Sequence, residues 1–149
     1  MVFKDDFELT VEINDGLFSE TSFKKLKDCL ISIGEESFVV IGQDFNGKLE
    51  RPIFRMKFPV NISWDEMMSG DFISMILFGF SQGEYMVYGQ TSEWAKYTAN
   101  DYIVPLDILA FKPKLRLLFH EKFKRSEIDR MNIKKALPDI YTDRVKLDF

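Results

Sequence analysis

Polar and apolar residues alternate near the start of the chain: Phe7, Leu9, Val11 and Ile13 are interleaved with Glu8, Thr10 and Glu12. A period of two predicts a β-strand with one buried and one solvated face. Asn14-Asp15-Gly16 then supplies turn residues that tolerate positive φ. The period changes after that. Phe23, Leu26, Leu30 and Ile33 fall three or four apart, while Lys24, Lys25, Lys27 and Asp28 take the other side. This predicts an amphipathic helix, capped by Ser19 or Thr21 and stopped at Gly34. Cys29 lies beside the apolar stripe and reads as a buried, inert thiol.

Phe38 to Ile41 is a short continuous apolar run, the mark of an inner strand. Asp44-Phe45-Asn46-Gly47 reads as a hairpin turn, and a second strand follows around Ile53 to Phe58, ended or edged by Pro59. Ser63-Trp64-Asp65-Glu66 matches a capping box and starts a short helix, interrupted by Ser69-Gly70-Asp71. Phe72 to Phe80 is apolar without a clear period, and strand is the favoured reading over helix. Tyr85, Val87 and Gly89 alternate with Glu84, Met86 and Tyr88 in another strand. Ser92 is the expected cap of a short helix carrying Trp94 and Tyr97 three apart on one face, broken at Asn100-Asp101. Pro105 leads a strand through Leu106, Ile108 and Ala110, or a buried run that also takes in Leu109 and Phe111. Leu115 to Phe123 is apolar and cationic by turns. Ser126 starts a last helix to about Leu137, stopped by Pro138, and Val145, Leu147 and Phe149 alternate as an edge strand.

Strand, helix and then several strands in succession argue against an alternating doubly wound sheet. The expected architecture is a single α+β domain over residues 1–149. Its mainly antiparallel sheet has five or six strands, with two longer helices and one or two short ones. At this length the chain buries roughly two thirds of its unfolded surface. Fifteen phenylalanines point to an aromatic core.

Composition removes several classes of chemistry. One cysteine and one histidine, His120, leave no internal disulfide, no thiolate cage and no His-rich metal site. His120-Glu121 lacks a second histidine four residues on, where Lys124 stands, so it is not a zincin helix. Gly79 and Gly83 fit neither a dinucleotide nor a phosphate-loop pattern. No catalytic residue, metal or cofactor is expected. The opening MVFKDDFELT has acids where a secretory signal needs apolar residues, and the longest nearly uncharged run, Phe72 to Gln82, is far short of the ~20 residues of a bilayer span. The expectation is a soluble, cytoplasmic protein without a membrane partner.

The net charge of -4 is unevenly placed. Residues 1–50 hold 5 Lys+Arg against 11 Asp+Glu (-6), residues 51–100 hold 4 against 5 (-1), and residues 101–149 hold 11 against 8 (+3). An acidic first third disfavours a nucleic-acid partner and suits a basic protein, because opposite potentials speed encounter.

From Tyr88 to Phe111 the chain runs through a glycine-ended strand, Ser-Glu-Trp-Ala-Lys-Tyr, Asn-Asp-Tyr and Pro-Leu-Asp-Ile-Leu-Ala-Phe. This stretch, about a sixth of the chain, resembles small bacterial immunity proteins of polymorphic-toxin and contact-dependent growth inhibition systems. The resemblance implies a cytoplasmic protein that binds a cognate toxin domain, a nuclease being the favoured kind, and blocks it. On that reading two clusters are the candidate partner-binding residues: Asp5, Asp6, Glu8 and Glu12, and Glu93, Trp94, Asp101 and Tyr102. The alternative is a small ligand-binding domain or enzyme with an aromatic-lined pocket, in which Asp65, Asp101 and Asp107 share a site. A subunit of a larger assembly is a third possibility.

Overall fold

The computed structural model describes residues 4–13, 19–42, 54–69, 85–99 and 106–136. Six strands form one antiparallel sheet: β1 (Glu8–Ile13), β2 (Ser37–Gly42), β3 (Phe54–Pro59), β4 (Tyr85–Gly89), β5 (Trp94–Ala99) and β6 (Leu106–Phe111). Their order across the sheet is β1-β6-β5-β4-β2-β3. Helices α1 (Glu20–Ser32), α2 (Trp64–Met68), α3 (Arg116–Lys122) and α4 (Glu127–Ala136) complete the α+β arrangement, with a 3₁₀ turn at Pro113–Leu115 before α3. The expected fold class is what forms.

Local chemistry accounts for much of this. Ser19 accepts from the amide of Ser22 and starts α1, whose buried stripe is Phe23, Leu26, Cys29 and Leu30. Gly34, at φ 80, then reverses the chain, and the amide of Glu35 donates back to Leu30 at 3.0 Å. Ser63 and Glu66 exchange both bonds of a capping box at the start of α2. Lys27 Nζ ties α1 to the approach of α2 by donating to the carbonyl of Ile62 at 2.9 Å.

Residues paired across strands share a face, so the register divides the sheet into two. One face packs Phe38, Val40, Phe58, Val87, Trp94, Leu109 and Phe111 against α1, α2 and α3. Phe111 stacks on Phe119 with ring centroids 4.7 Å apart, and Phe119 on Phe123 at 5.9 Å. The opposite face holds a second cluster of Leu9, Val11, Tyr97, Leu106, Ile108 and Ala110, joined by Ile133 of α4. Every residue of β6 is therefore buried.

Burial also decides the fate of Cys29. It is inaccessible, and burial pushes its thiol up to about 12. The thiolate is the reactive form. A thiol reagent is thus expected to modify Cys29 only as fast as the chain unfolds, measured by labelling across a denaturant series. Rapid labelling of the native protein would contradict this packing.

Two expectations are corrected, and one stretch left without an element is assigned. The face of β1 expected to be solvated is not: Thr10 is fully buried, and Glu8 and Glu12 are half-buried beneath basic and hydroxyl side chains of the helices. The short helix expected after Ser92 is the strand β5. Ser92 itself, at φ 57, lies in the turn joining β4 to β5 and caps nothing. Leu115 to Phe123 coils into the 3₁₀ turn and α3. The hairpin at 44–47, the apolar run 72–80, the residues 100–105 and the alternation at 145–149 lie outside the described residues.

Candidate functional site

The strand register gathers charge at one end of the sheet. Glu8 of β1 pairs with Phe111 of β6, and Phe111 pairs with Trp94 of β5, so these three strands come level there. The chain leaving β6 therefore runs past both the start of β1 and the start of β5. The amide of Lys112 donates to the carbonyl of Glu93 at 2.8 Å. Lys112 then pairs with Asp6, Lys114 with Glu93, and Arg116 with Glu8. Arg116 engages Glu8 through both Nε and Nη2, a bidentate geometry that fixes the guanidinium. Lys112 Nζ also sits 4.5 Å from the centroid of the Phe7 ring.

The result is a belt of alternating charge with three carboxylates (Asp6, Glu8, Glu93) and three cations (Lys112, Lys114, Arg116). The side chains of Asp6, Lys114 and Arg116 are 56%, 64% and 53% exposed. The next residue, Leu117, is 83% exposed, the most solvated large apolar side chain among the described residues. The hydrogen bond from Lys112, acting against a smaller effect of burial, holds Asp6 below the usual carboxylate range. A carboxylate lowered in the folded state contributes stability above its unfolded pKa and loses it as pH falls through the folded value. At this exposure salt screens the pairing, so the belt contributes little to folding.

The candidate residues separate accordingly. Asp6, Glu8 and Glu93, drawn from two different clusters of the sequence reading, come together on the belt, and Asp5 is exposed just before Asp6 in the chain. Glu12 lies at the other end of β1 and does not join them. Its carboxylate accepts from the Ser22 hydroxyl at 2.5 Å and from Lys25 at 3.3 Å. Trp94 points inward and is 1% exposed, so it offers no contact to a partner; its indole N–H donates to Glu35 at 2.9 Å. Asp101 and Tyr102 lie outside the described residues. The three cations and Leu117 were not singled out in the sequence, although the alternation Lys112-Pro113-Lys114-Leu115-Arg116 is visible there.

Two groups of polar residues are internal. Lys96 and Asp107 pair at 3.0 Å with side chains 3% and 2% exposed, Thr98 donates to Asp107 at 2.7 Å, and Lys96 Nζ lies 5.7 Å from the Tyr85 ring centroid. Burial first, then the charge of Asp107, pushes the Tyr85 phenol well above its ordinary range, with Thr98 acting in the opposite direction. Tyr85 stays protonated. Glu35 forms the second group, accepting from the turn between β4 and β5.

The described residues also border a cleft of about 350 Å³ between the end of β1, the start of α1 and the start of α4. Asp107 is committed to Lys96 in the core while Asp65 is exposed in the first turn of α2, so these two carboxylates share no site. Among the described residues no three His, Cys, Asp or Glu side chains are grouped to hold a metal ion, and no helix is long and apolar enough to cross a membrane.

No family model, curated protein or solved structure matches this chain.

Proposed function

We propose that this chain acts by binding another protein through the charged belt and Leu117. In the form implied by the resemblance of residues 88–111, it is an immunity protein that neutralises a toxin domain in the cytoplasm. The observation that carries the reading is the makeup of the belt. An exposed leucine beside fixed, alternating charges has the composition of an interface: an apolar anchor that fills a pocket, with a polar surround that sets register. The belt rests on the ends of three paired strands, so it is mounted on a rigid element.

The geometry also changes the kind of partner. The acidic first third of the sequence suited a basic partner met by unpaired acids. Here each of Asp6, Glu8 and Glu93 carries a cation, and the belt is nearly neutral. Its complement is a surface presenting both signs in counter-register. A toxin met this way is blocked by docking over its active site. The small-ligand alternative finds less support in the aromatic residues, because Phe111, Phe119 and Phe123 stack in the core and Trp94 is buried with them.

Leu117→Asp is the direct test, because the side chain is almost wholly exposed and its loss leaves the core intact. The immobilised chain and this variant are exposed side by side to lysate of the source cells. The expected result is one stoichiometric protein retained by the wild type and bound at least about tenfold more weakly by the variant, as for loss of a central anchor, at an unchanged melting temperature. Equal retention by both would remove the belt as the binding face.

A further inference from the structure

The cleft at the far end of β1 is separate from the belt and has its own chemistry. Its three cations come from two places: Lys25 from α1, and Lys124 and Arg125 from the segment between α3 and α4. They face the hydroxyls of Ser19, Thr21 and Ser22 in the first turn of α1, and Ile133 closes one wall. Two carboxylates, Glu12 and Asp129, also border it.

Both acids are already engaged. Glu12 accepts from Ser22 and Lys25. Asp129 accepts from the hydroxyl of Ser126 at 2.8 Å and from its amide at 3.3 Å. These bonds, followed by the charges of Lys25 and Arg125, hold Asp129 below the usual carboxylate range. Among the described residues that line the cleft, three cations against two carboxylates leave one positive charge in excess. Two of those cations are held in place: Lys25 by Glu12, and Arg125 by its donation to the buried Thr10 hydroxyl. Lys124 makes no ion pair among the described residues. A ligand arriving here meets cations that are already oriented, which removes much of the ordering cost of binding.

From this arrangement we infer that the cleft binds a small phosphorylated molecule, its phosphate held by Arg125, Lys124 and the hydroxyls of Ser19 and Thr21 and the remainder lying along Ile133. Charge-assisted bonds from a fixed guanidinium and a lysine are the strongest available to an oxyanion. The volume, about 350 Å³, stands at the small end of small-molecule pockets. The inference does not depend on the belt, and either can fail alone.

The test is titration of the full chain with inorganic phosphate and, separately, glycerol 3-phosphate, followed by amide and side-chain NMR shifts. Saturable shifts at Thr21, Ser22 and Arg125 are expected, with glycerol 3-phosphate binding more tightly than phosphate. Lys124→Glu, an exposed substitution, is expected to weaken both by about tenfold, the value of one charged hydrogen bond. Saturable binding of phosphate alone, with no gain from the glycerol group, would overturn the organic part of the assignment. Shifts that do not saturate, or that are the same in Lys124→Glu, would overturn the site itself.

Discussion

Replacing Asp107 by asparagine is expected to destabilise the fold by about 3–5 kcal/mol, the usual consequence of leaving one member of a buried ion pair without its partner. The Lys96 side chain is 3% exposed and lies 3.0 Å from the carboxylate it would lose. Around it stand the sheet residue Leu109, the Leu26 and Phe123 side chains and the Tyr85 ring, and the one other carboxylate bordering this space among the described residues, Glu12, is already engaged by Ser22 and Lys25. The Thr98 hydroxyl, which donates to Asp107 at 2.7 Å, would meet an amide in place of a carboxylate. Denaturant unfolding of the variant against the wild type gives the number directly. A double variant, Lys96→Met with Asp107→Leu, separates the pair from its parts. Because two desolvated charges offset most of their own attraction, the double variant is expected to recover most of the loss. A single variant that loses less than about 1 kcal/mol would mean that water or the Glu12 carboxylate takes the place of Asp107 at Lys96, contrary to this account.

The second large effect lies at the turn between β4 and β5. Glu35, 6% exposed at the end of α1, accepts four hydrogen bonds. They come from the amides of Gln90 at 3.1 Å and Thr91 at 3.2 Å, the Thr91 hydroxyl at 2.6 Å and the Trp94 indole at 2.9 Å. One carboxylate thus ties the helix side of the core to the hairpin. Glu35→Ala strands the buried indole N–H of Trp94 and leaves the donors of the exposed residues Gln90 and Thr91 to water, and is expected to cost about 1–3 kcal/mol. Gly89→Ala reaches the same contact from the other side. A Cβ there would stand 2.1 Å from Glu35 Oε1 and 2.6 Å from Trp94 Nε1, so the carboxylate or the indole must move. A loss of similar size is expected, accompanied by a change in Trp94 fluorescence that reports the broken bond. Stability within about 0.5 kcal/mol of wild type in both variants would show that the turn does not need this tie.

These internal groups explain what was legible in the sequence. Elements specified by adjacent residues were readable: the alternation of β1 and β4, the stripe and cap of α1, and the capping box of Ser63 and Glu66. β5 was not. Its one face is Trp94, Lys96 and Thr98, and the other carries Ala95 and Tyr97, so burial on both sides leaves no contrast of polar and apolar positions. Lys96 reads as solvated until Asp107, two strand positions across, is seen to hold it. The spacing of three between Trp94 and Tyr97 then imitates a helix. The same limit applies to the candidate site. The acids of the first third were visible, but the cations that neutralise them lie up to 108 residues away, and only the register of β1, β6 and β5 brings them together. Trp94 looked like a recognition residue because its hydrogen-bond partner, Glu35, is 59 residues distant.

The belt as the face that meets a protein is the central claim, and hydrogen–deuterium exchange of the chain alone and in complex with its captured partner tests it most directly. The account predicts slowed exchange at residues 5–8, 93 and 112–117, with the cleft lined by Lys25 and Arg125 unchanged. Protection confined to the cleft or to α2, with 112–117 exchanging as in the free chain, would contradict it.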